Sequence, residues 1–447
     1  MKQRYLECFL FIILVSFISS DAVGQVKISE MLYGQNHWLA RGDENNRLGY
    51  VHLLWPKVKD SGVKLIRIGG NGYLRMPERD RLNTMVDSIQ NIGAEPLMQI
   101  PGTFTKEQVI GLVRYYNKSG RKPIKFWCIG NEPLHKHHNL KIEQVYDYIM
   151  KISPAIREAD KNVKIIVFDE AEMMESVYRR LCGGDLDVCG KDNNGNWLVD
   201  GFSFHCYPNG REFDRDDVIF TGPKKIERQI VSLLKLMQKA NQKHNRKGES
   251  KLIWGLTEVN VTYHNPDRDV RGFGNTSFIG GQFIAEAYGL GAKYGAFTVA
   301  PWCINESDRV QTDFGYIGVP EEFFPRSSYY HTQMMSKYIC GDFINSYSNQ
   351  GYVKTIASES SDYIALMIIN QDDLRGYEYE VSSRKDIGIS PLLISLNTNV
   401  NLNYKGSIPS QSTLLLIFSK KGEIMKKIIY SIENNLNNEP PLEDCLR

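Results

Sequence analysis

Eight apolar, strand-forming runs separated by stretches of helical periodicity limit the fold of this chain more than any other feature. The runs lie at 27–36, 63–70, 94–101, 125–132, 163–170, 199–208, 251–260 and 296–306. Between them, at 81–92, 106–117, 141–158, 224–244 and 277–293, apolar residues recur three and four positions apart, the spacing of one buried helix face. A last helix is predicted over 325–339. Strands that are apolar throughout, rather than at alternate positions, belong in a parallel sheet covered on both faces. Eight such units predict a (β/α)8 barrel, a fold of ~250 residues plus insertions. An open doubly wound sheet is the competing arrangement of the same units.

A (β/α)8 barrel carries its chemistry at the C-terminal ends of its strands. Here those ends include Gly69-Gly70-Asn71, Asn131-Glu132-Pro133, Asp169-Glu170, His205-Cys206-Tyr207, Thr257-Glu258 and Trp302-Cys303. Amides, carboxylates and aromatics gather there, whereas the strand bodies are apolar. The run 125–133 is the clearest case: Phe126-Trp127-Cys128-Ile129 leads through Gly130 to an amide and a carboxylic acid, and Pro133 stops the strand. A single strand-end glutamate is commonly a loop salt bridge. A second one, Glu258, ends the seventh strand. Cleaving a glycosidic bond requires one carboxylic acid to protonate the leaving oxygen and a second carboxylate to attack the anomeric carbon or to activate water. Glu132 and Glu258 are placed for those two tasks.

With these residues in view, the chain resembles the clan A glycoside hydrolases, the (β/α)8 superfamily of retaining glycosidases, over roughly residues 27–340. The resemblance implies that Glu132, preceded by Asn131, is the acid/base and that Glu258 is the nucleophile. Arg67 matches the clan's arginine near the end of strand two. His205-x-Tyr207 is similar to the strand-six pattern of family 5, and Trp302 to the strand-eight tryptophan that floors the sugar site. Gly69-Gly70-Asn71 is similar to families 44 and 51. The resemblance implies a polysaccharide or oligosaccharide substrate, no cofactor and no metal. It also implies substrate-contacting roles for Asn131, Arg67, His205, Tyr207 and Trp302, with Trp38 and Tyr263 on the cleft-walling loops. Under this reading Glu132 needs a raised pKa, while Arg67 and Tyr207 keep Glu258 ionised. The expected product is chain-internal cleavage of a β-linked polysaccharide. The alternatives are an exo-acting arabinofuranosidase- or xylosidase-like enzyme and a non-catalytic sugar-binding barrel.

Other groups compete for attention. Asp169, Glu170 and Glu172 stand where acidic residues suit a helix N-terminus. Glu306 and Asp308 are positioned to reach a substrate from the eighth loop. His135, His137 and His138 suggest a metal set, but Lys136 lies among them. Tyr73 and His264 join Trp38 and Tyr263 as candidate cleft walls.

A formal net charge of +2 over 447 residues gives no reason to expect a nucleic-acid partner. Residues 1–24 have the layout of a secretory leader, a basic start and a short apolar core, which predicts export to the periplasm or beyond with no membrane insertion after cleavage. Of eight cysteines, Cys182 and Cys189 flank a short loop that a disulfide would close. The barrel is expected over 25–340. Short alternating strands then predict a β-sandwich over 341–420, and the polar residues 421–447 predict a tail with at most one short helix.

Overall fold

The computed structural model describes residues 26–37, 51–71, 79–136, 138, 140–264, 268–306, 313–318, 323–383 and 390–445. The predicted leader and Trp38, Tyr73, His137 and Asp308 lie outside the described residues. Eight strands form one parallel sheet in chain order: β1 Gly34–His37, β2 Leu65–Ile68, β3 Glu95–Ile100, β4 Phe126–Ile129, β5 Lys164–Glu170, β6 Gly201–Cys206, β7 Ile253–Val259 and β8 Thr298–Pro301. The sheet curls until its ends meet. Tyr33 pairs in parallel with Val299 of β8, and the Val299 N–H donates to the Leu32 carbonyl at 2.8 Å. The first strand is shorter than the sequence predicts, because a turn at Ser29–Leu32 separates it from Lys27, which bridges instead to Asp342.

A helix follows each strand: α1 Trp55–Asp60, α2 Arg79–Asn91, α3 Lys106–Lys118, α4 Ile142–Ala159, α5 Glu175–Leu181, α6 Gly222–Lys243, α7 Phe278–Lys293 and α8 Ser327–Tyr338. The short α1 and α5 carry too few turns to show a period and escape the sequence reading. α6 shows why the longer ones form: Ile226, Ile230, Leu233, Met237 and Ala240 make one buried stripe. α3 begins with a reciprocal cap, in which the Gln108 N–H donates to Thr105 Oγ1 and the Thr105 N–H to Gln108 Oε1.

Strand alternation divides the barrel core. Leu65, Leu97, Phe126, Cys128, Ile166 and Phe297 form one cluster in the lumen, with the Phe126 and Phe297 rings stacked at 5.4 Å. Their neighbours Ile66, Met98, Trp127 and Ile165 point outward to the helices. Two residues above Leu65 and Leu97 come Arg67 and Gln99, both fully buried. The lumen is therefore apolar below and polar above, and the polar layer carries the site.

The C-terminal region is a sandwich of two sheets. The larger is antiparallel, in the order β9 Asp342–Ile344, β11 Val353–Glu359, β12 Tyr363–Asn370, β16 Ser412–Ser419, β17 Ile424–Ser431 and β18 Leu442–Cys445. The smaller has the order β10 Ser346–Ser348, β14 Leu392–Leu396, β13 Tyr377–Ser382 and β15 Asn403–Ile408, with β13 and β14 parallel. The tail predicted after residue 420 is corrected here: β17, the short helix α9 Ile432–Leu436 and β18 continue the larger sheet. Two adjacent lysines, Lys426 and Lys427, interrupt β17, so the segment reads as a polar tail while Ile428 and Tyr430 are buried. Along β12, Ile364, Leu366 and Ile368 face the sandwich interior, and Ala365, Met367 and Ile369 join the core shared with the barrel. α7 lies between the two units. A Cβ on its Gly281 would meet Ser327 Oγ at 2.1 Å, so glycine lets α8 approach that closely.

Candidate active site

The polar layer centres on Arg67, which has no exposed surface. Its Nε donates to Asp169 Oδ2 at 2.9 Å, its Nη1 to Glu258 Oε1 at 2.8 Å and to Asn36 Oδ1 at 3.0 Å, and its Nη2 to Asn131 Oδ1 at 2.5 Å. Acceptors from β1, β5, β7 and the end of β4 thereby converge on one guanidinium, whose planar set of donors matches several acceptors at once. Asp169 also accepts hydrogen bonds from the hydroxyls of Ser203 and Thr257. Burial would raise the Asp169 carboxyl, but Arg67, His205 and Ser203 hold it far below its ordinary range. It is a fixed negative charge.

Glu132 and Glu258 stand above this layer. Glu132 lies beyond the end of β4 in the left-handed region, at φ 45°, held by its N–H donating to the Asp169 carbonyl at 2.8 Å. A non-glycine residue is held in that conformation at some cost, and here it aims the carboxyl into the mouth of the barrel. His205 Nδ1 is 3.0 Å from Glu132 Oε1 and 3.6 Å from Glu258 Oε2. The Tyr207 hydroxyl donates to Glu258 Oε2 at 2.9 Å. Ligand atoms of Glu132, His205 and Glu258 lie within 4.8 Å of one another. That donor set has the spacing to hold a cation, but Arg67 already supplies positive charge against Glu258.

The protonation pattern departs from the sequence reading. Burial acts to raise the Glu132 carboxyl, but the hydrogen bond and charge of His205, with His135 and Arg67, bring it below its ordinary value. Burial raises Glu258 against the pull of His205 and Arg67, with Glu132 adding to the rise. His205 would be lowered by burial, yet Glu258, Asp169 and Glu132 push it up to about 10. The upward shift expected for Glu132 falls instead on its hydrogen-bond partner His205, 3.0 Å away, and Glu132 is shifted the other way.

These carboxylates open into a cavity of ≈ 690 Å³, which Asn131, Tyr207, Trp302 and Tyr263 also line. Tyr263 is half exposed at the rim. Arg67 and His205, predicted to touch substrate, do not line the cavity and sit beneath the carboxylates. Trp302 follows β8, with a cis peptide to Cys303; its indole N–H donates to Glu306 Oε1 at 3.2 Å. Glu306 is buried behind the ring, pushed up to about 8 by that burial, and holds the tryptophan instead of facing substrate. Gly70 is left-handed at φ +85°, and a Cβ there would stand 2.6 Å from the Trp302 ring.

Asn36 and Gln99 received no role from the sequence, and Asp169, set there among the competing strand-end carboxylates, holds Arg67 instead. Gln99 Oε1 accepts from the Gly70 N–H at 2.7 Å. Their signal was available as polar residues inside apolar strands, a costly placement unless paired. Glu170 caps the Leu134 and Ala171 N–H groups. His135 lines the cavity, and His138 Nε2 lies 3.4 Å from Asn71 Oδ1. Cys182 and Cys189 are free thiols with their sulfurs 4.0 Å apart.

No family model matches this chain, and no curated protein matches it either. Its fold is that of several solved glycoside hydrolases. The thermostable GH51 α-L-arabinofuranosidase from Thermotoga petrophila RKU-1 superposes with a TM-score of 0.66 at 14% identity, covering 88% of this chain and 98% of that one. The α-L-arabinofuranosidase from Thermotoga maritima gives 0.65 at 13% identity, covering 88% and 97%. Cel44A, a GH family 44 endoglucanase from Clostridium thermocellum, gives 0.56 at 15%, covering 88% and 96%. The likeness therefore includes the barrel and the appended β-sandwich together.

Proposed function

We propose that this chain is a retaining glycoside hydrolase that cuts β-linked polysaccharide within the chain, with Glu258 as nucleophile and Glu132 as acid/base. The observation that carries the proposal is the spacing of the carboxylates. Glu132 and Glu258 present oxygens within 4.8 Å of each other. Retaining enzymes hold these groups ~5–5.5 Å apart, whereas inverting enzymes separate them by ~6.5–9.5 Å to admit a water.

In the first step a Glu258 oxygen bonds to the anomeric carbon while Glu132 gives a proton to the departing oxygen. The proton comes from the Glu132–His205 pair. Substrate that displaces water from Glu132 disfavours the ion-pair form and moves the proton from His205 Nδ1 to Glu132 Oε1. In the second step Glu132 takes a proton from water, which attacks the anomeric carbon and releases Glu258. Arg67 and Tyr207 contact one oxygen each of Glu258 and favour its ionised form before attack and after release. Asn131 has its carbonyl oxygen committed to Arg67 and one amide hydrogen donated to Asn71 Oδ1 at 3.2 Å, which leaves the other amide hydrogen for the sugar 2-hydroxyl. Trp302 offers its face to sugar C–H groups. Export under the leader at 1–24 belongs to the same proposal.

A second reading, exo-acting release of a terminal sugar, is favoured by the closer superposition on the arabinofuranosidases than on the endoglucanase. Incubation with purified glucan, xylan, mannan, galactan and arabinan, with products sized over time, separates the two. Internal cutting gives early intermediate-length products, and terminal cutting gives monomers alone. Proton NMR of the first product reads the anomer. An inverted first product would overturn the retaining mechanism, and no product from any glycan or aryl glycoside would overturn the enzyme reading.

A further inference from the structure

The two sides of the cavity differ in chemistry. Around Trp302 the wall is made by Gly70, the indole and Phe314. On the side of β5 and β6, next to Glu132, it is made by Glu172, Asn209 and Lys225, polar groups that no catalytic step uses. Glu132 has to reach the glycosidic oxygen, so the attacked sugar lies over Trp302 beside Glu258 and the leaving group lies against this polar side.

Glu172 is held from α6. Lys225 Nζ is 3.0 Å from its Oε1, and Gln229 Nε2, one helical turn further, donates to the same oxygen at 2.8 Å. No donor among the described residues reaches Oε2. The Asn209 Nδ2 is buried and makes no hydrogen bond among the described residues. Leaving a buried amide donor unpaired is costly, and its place on a cavity wall points to an acceptor that arrives from outside. One fixed carboxylate oxygen beside ammonium and amide donors is the pattern that adjacent sugar hydroxyls satisfy, each hydroxyl being both donor and acceptor. Glu172 and Lys225 cancel each other's charge, so the wall offers no net attraction to a uronate or a sulfate ester.

We propose that Glu172, Asn209 and Lys225 form the leaving-group subsite and that it takes a neutral, hydroxyl-rich sugar. The inference rests on the glycosidase reading above. The experiment compares kcat/KM on neutral oligosaccharides of the gluco-, xylo-, manno-, galacto- and arabino- series with kcat/KM on the matching p-nitrophenyl glycosides. It uses the full chain and the variants Asn209→Ala and Glu172→Ala, with thermal melts to confirm folding. In each variant the ratio of oligosaccharide to aryl-glycoside activity should fall roughly tenfold, the scale of one hydrogen bond. A ratio within about twofold of the parent in both variants overturns the subsite. Faster cleavage of oligouronides than of neutral oligosaccharides overturns the neutral assignment. Turnover of neither substrate class by the parent protein sinks the glycosidase reading itself, an outcome distinct from an unmoved ratio.

Discussion

The proton that the proposed reaction delivers belongs to Glu132 and His205 together, and this governs the residue-scale predictions. Glu258→Ala should abolish hydrolysis, and azide should restore turnover of an activated glycoside with inverted configuration. Glu132→Ala should harm natural glycans more than glycosides with activated leaving groups, which need no protonation. Full activity in both variants would sink the mechanism. The pH profile of kcat/KM should be a bell. Glu258 reacts as a carboxylate, so activity is lost as pH falls through its raised value. The pair must hold a proton, so activity is lost as pH rises through the value near 10 set by His205. In His205→Asn the alkaline limb should move to lower pH, because the basic partner that retains the proton is gone. An alkaline limb in the same place in both proteins would assign the proton elsewhere.

At the scale of elements, the strand after residue 420 matters more than its composition suggests. β17 pairs along β16 from Ser412 to Phe418 and buries Ile428 and Tyr430 in the core shared with the barrel. Removing 421–447 would expose the full length of β16 as a sheet edge and uncover Phe278 and Tyr330, whose rings lie 5.4 and 5.1 Å from Tyr430. The truncated protein should be insoluble or lose several degrees in Tm, since large apolar burial and edge protection are lost together. Thermal melts of full and truncated chains check this, and equal Tm values would return 421–447 to the status of a tail.

At the scale of the whole molecule, the barrel and the sandwich meet across two titratable groups. Glu286 of α7 accepts from Gln371 Nε2 at 2.7 Å, and burial pushes its carboxyl up to about 7 against the pull of Lys354 and Gln371. A carboxyl raised on folding favours the folded state below its unfolded pKa of 4.5, and that contribution is lost as pH rises through about 7. The loss is on the order of 3 kcal/mol. Glu286→Gln keeps the acceptor for Gln371 and removes the titration. The variant should match the parent at pH ~5 and melt higher at pH ~8, as differential scanning fluorimetry across pH will read. Identical Tm–pH profiles would show that the interface does not bury this charge. His331 at the same interface works the other way. Its Nε2 lies 2.8 Å from Thr413 Oγ1, and burial lowers it to about 4, so its contribution is present above 6.5 and lost toward pH 4.

The order of strands and helices, the barrel and the strand-end placement of Asn131, Glu132, Glu258 and Trp302 were legible in the sequence. Each depends on local properties: hydrophobic periodicity within a segment, and the residue at which an apolar run stops. The contacts of Arg67 and Tyr207 with Glu258 were expected, but the other partners were not legible. Arg67 meets Asp169 across 102 residues of chain, and only barrel closure brings them to 2.8 Å. The same closure decided that Arg67 and His205 lie under the site and not on its wall. It also decided that Glu132 is shifted down and His205 up, because a pKa follows from distances and burial that no segment contains. β17 failed as a local reading for a related reason, since Lys426 and Lys427 interrupt its apolar residues and its burial depends on a neighbouring strand and a helix of the barrel. The sequence by itself determined which carboxylates stand at the mouth of the barrel; the tertiary structure decided what holds them, and in which direction each is shifted.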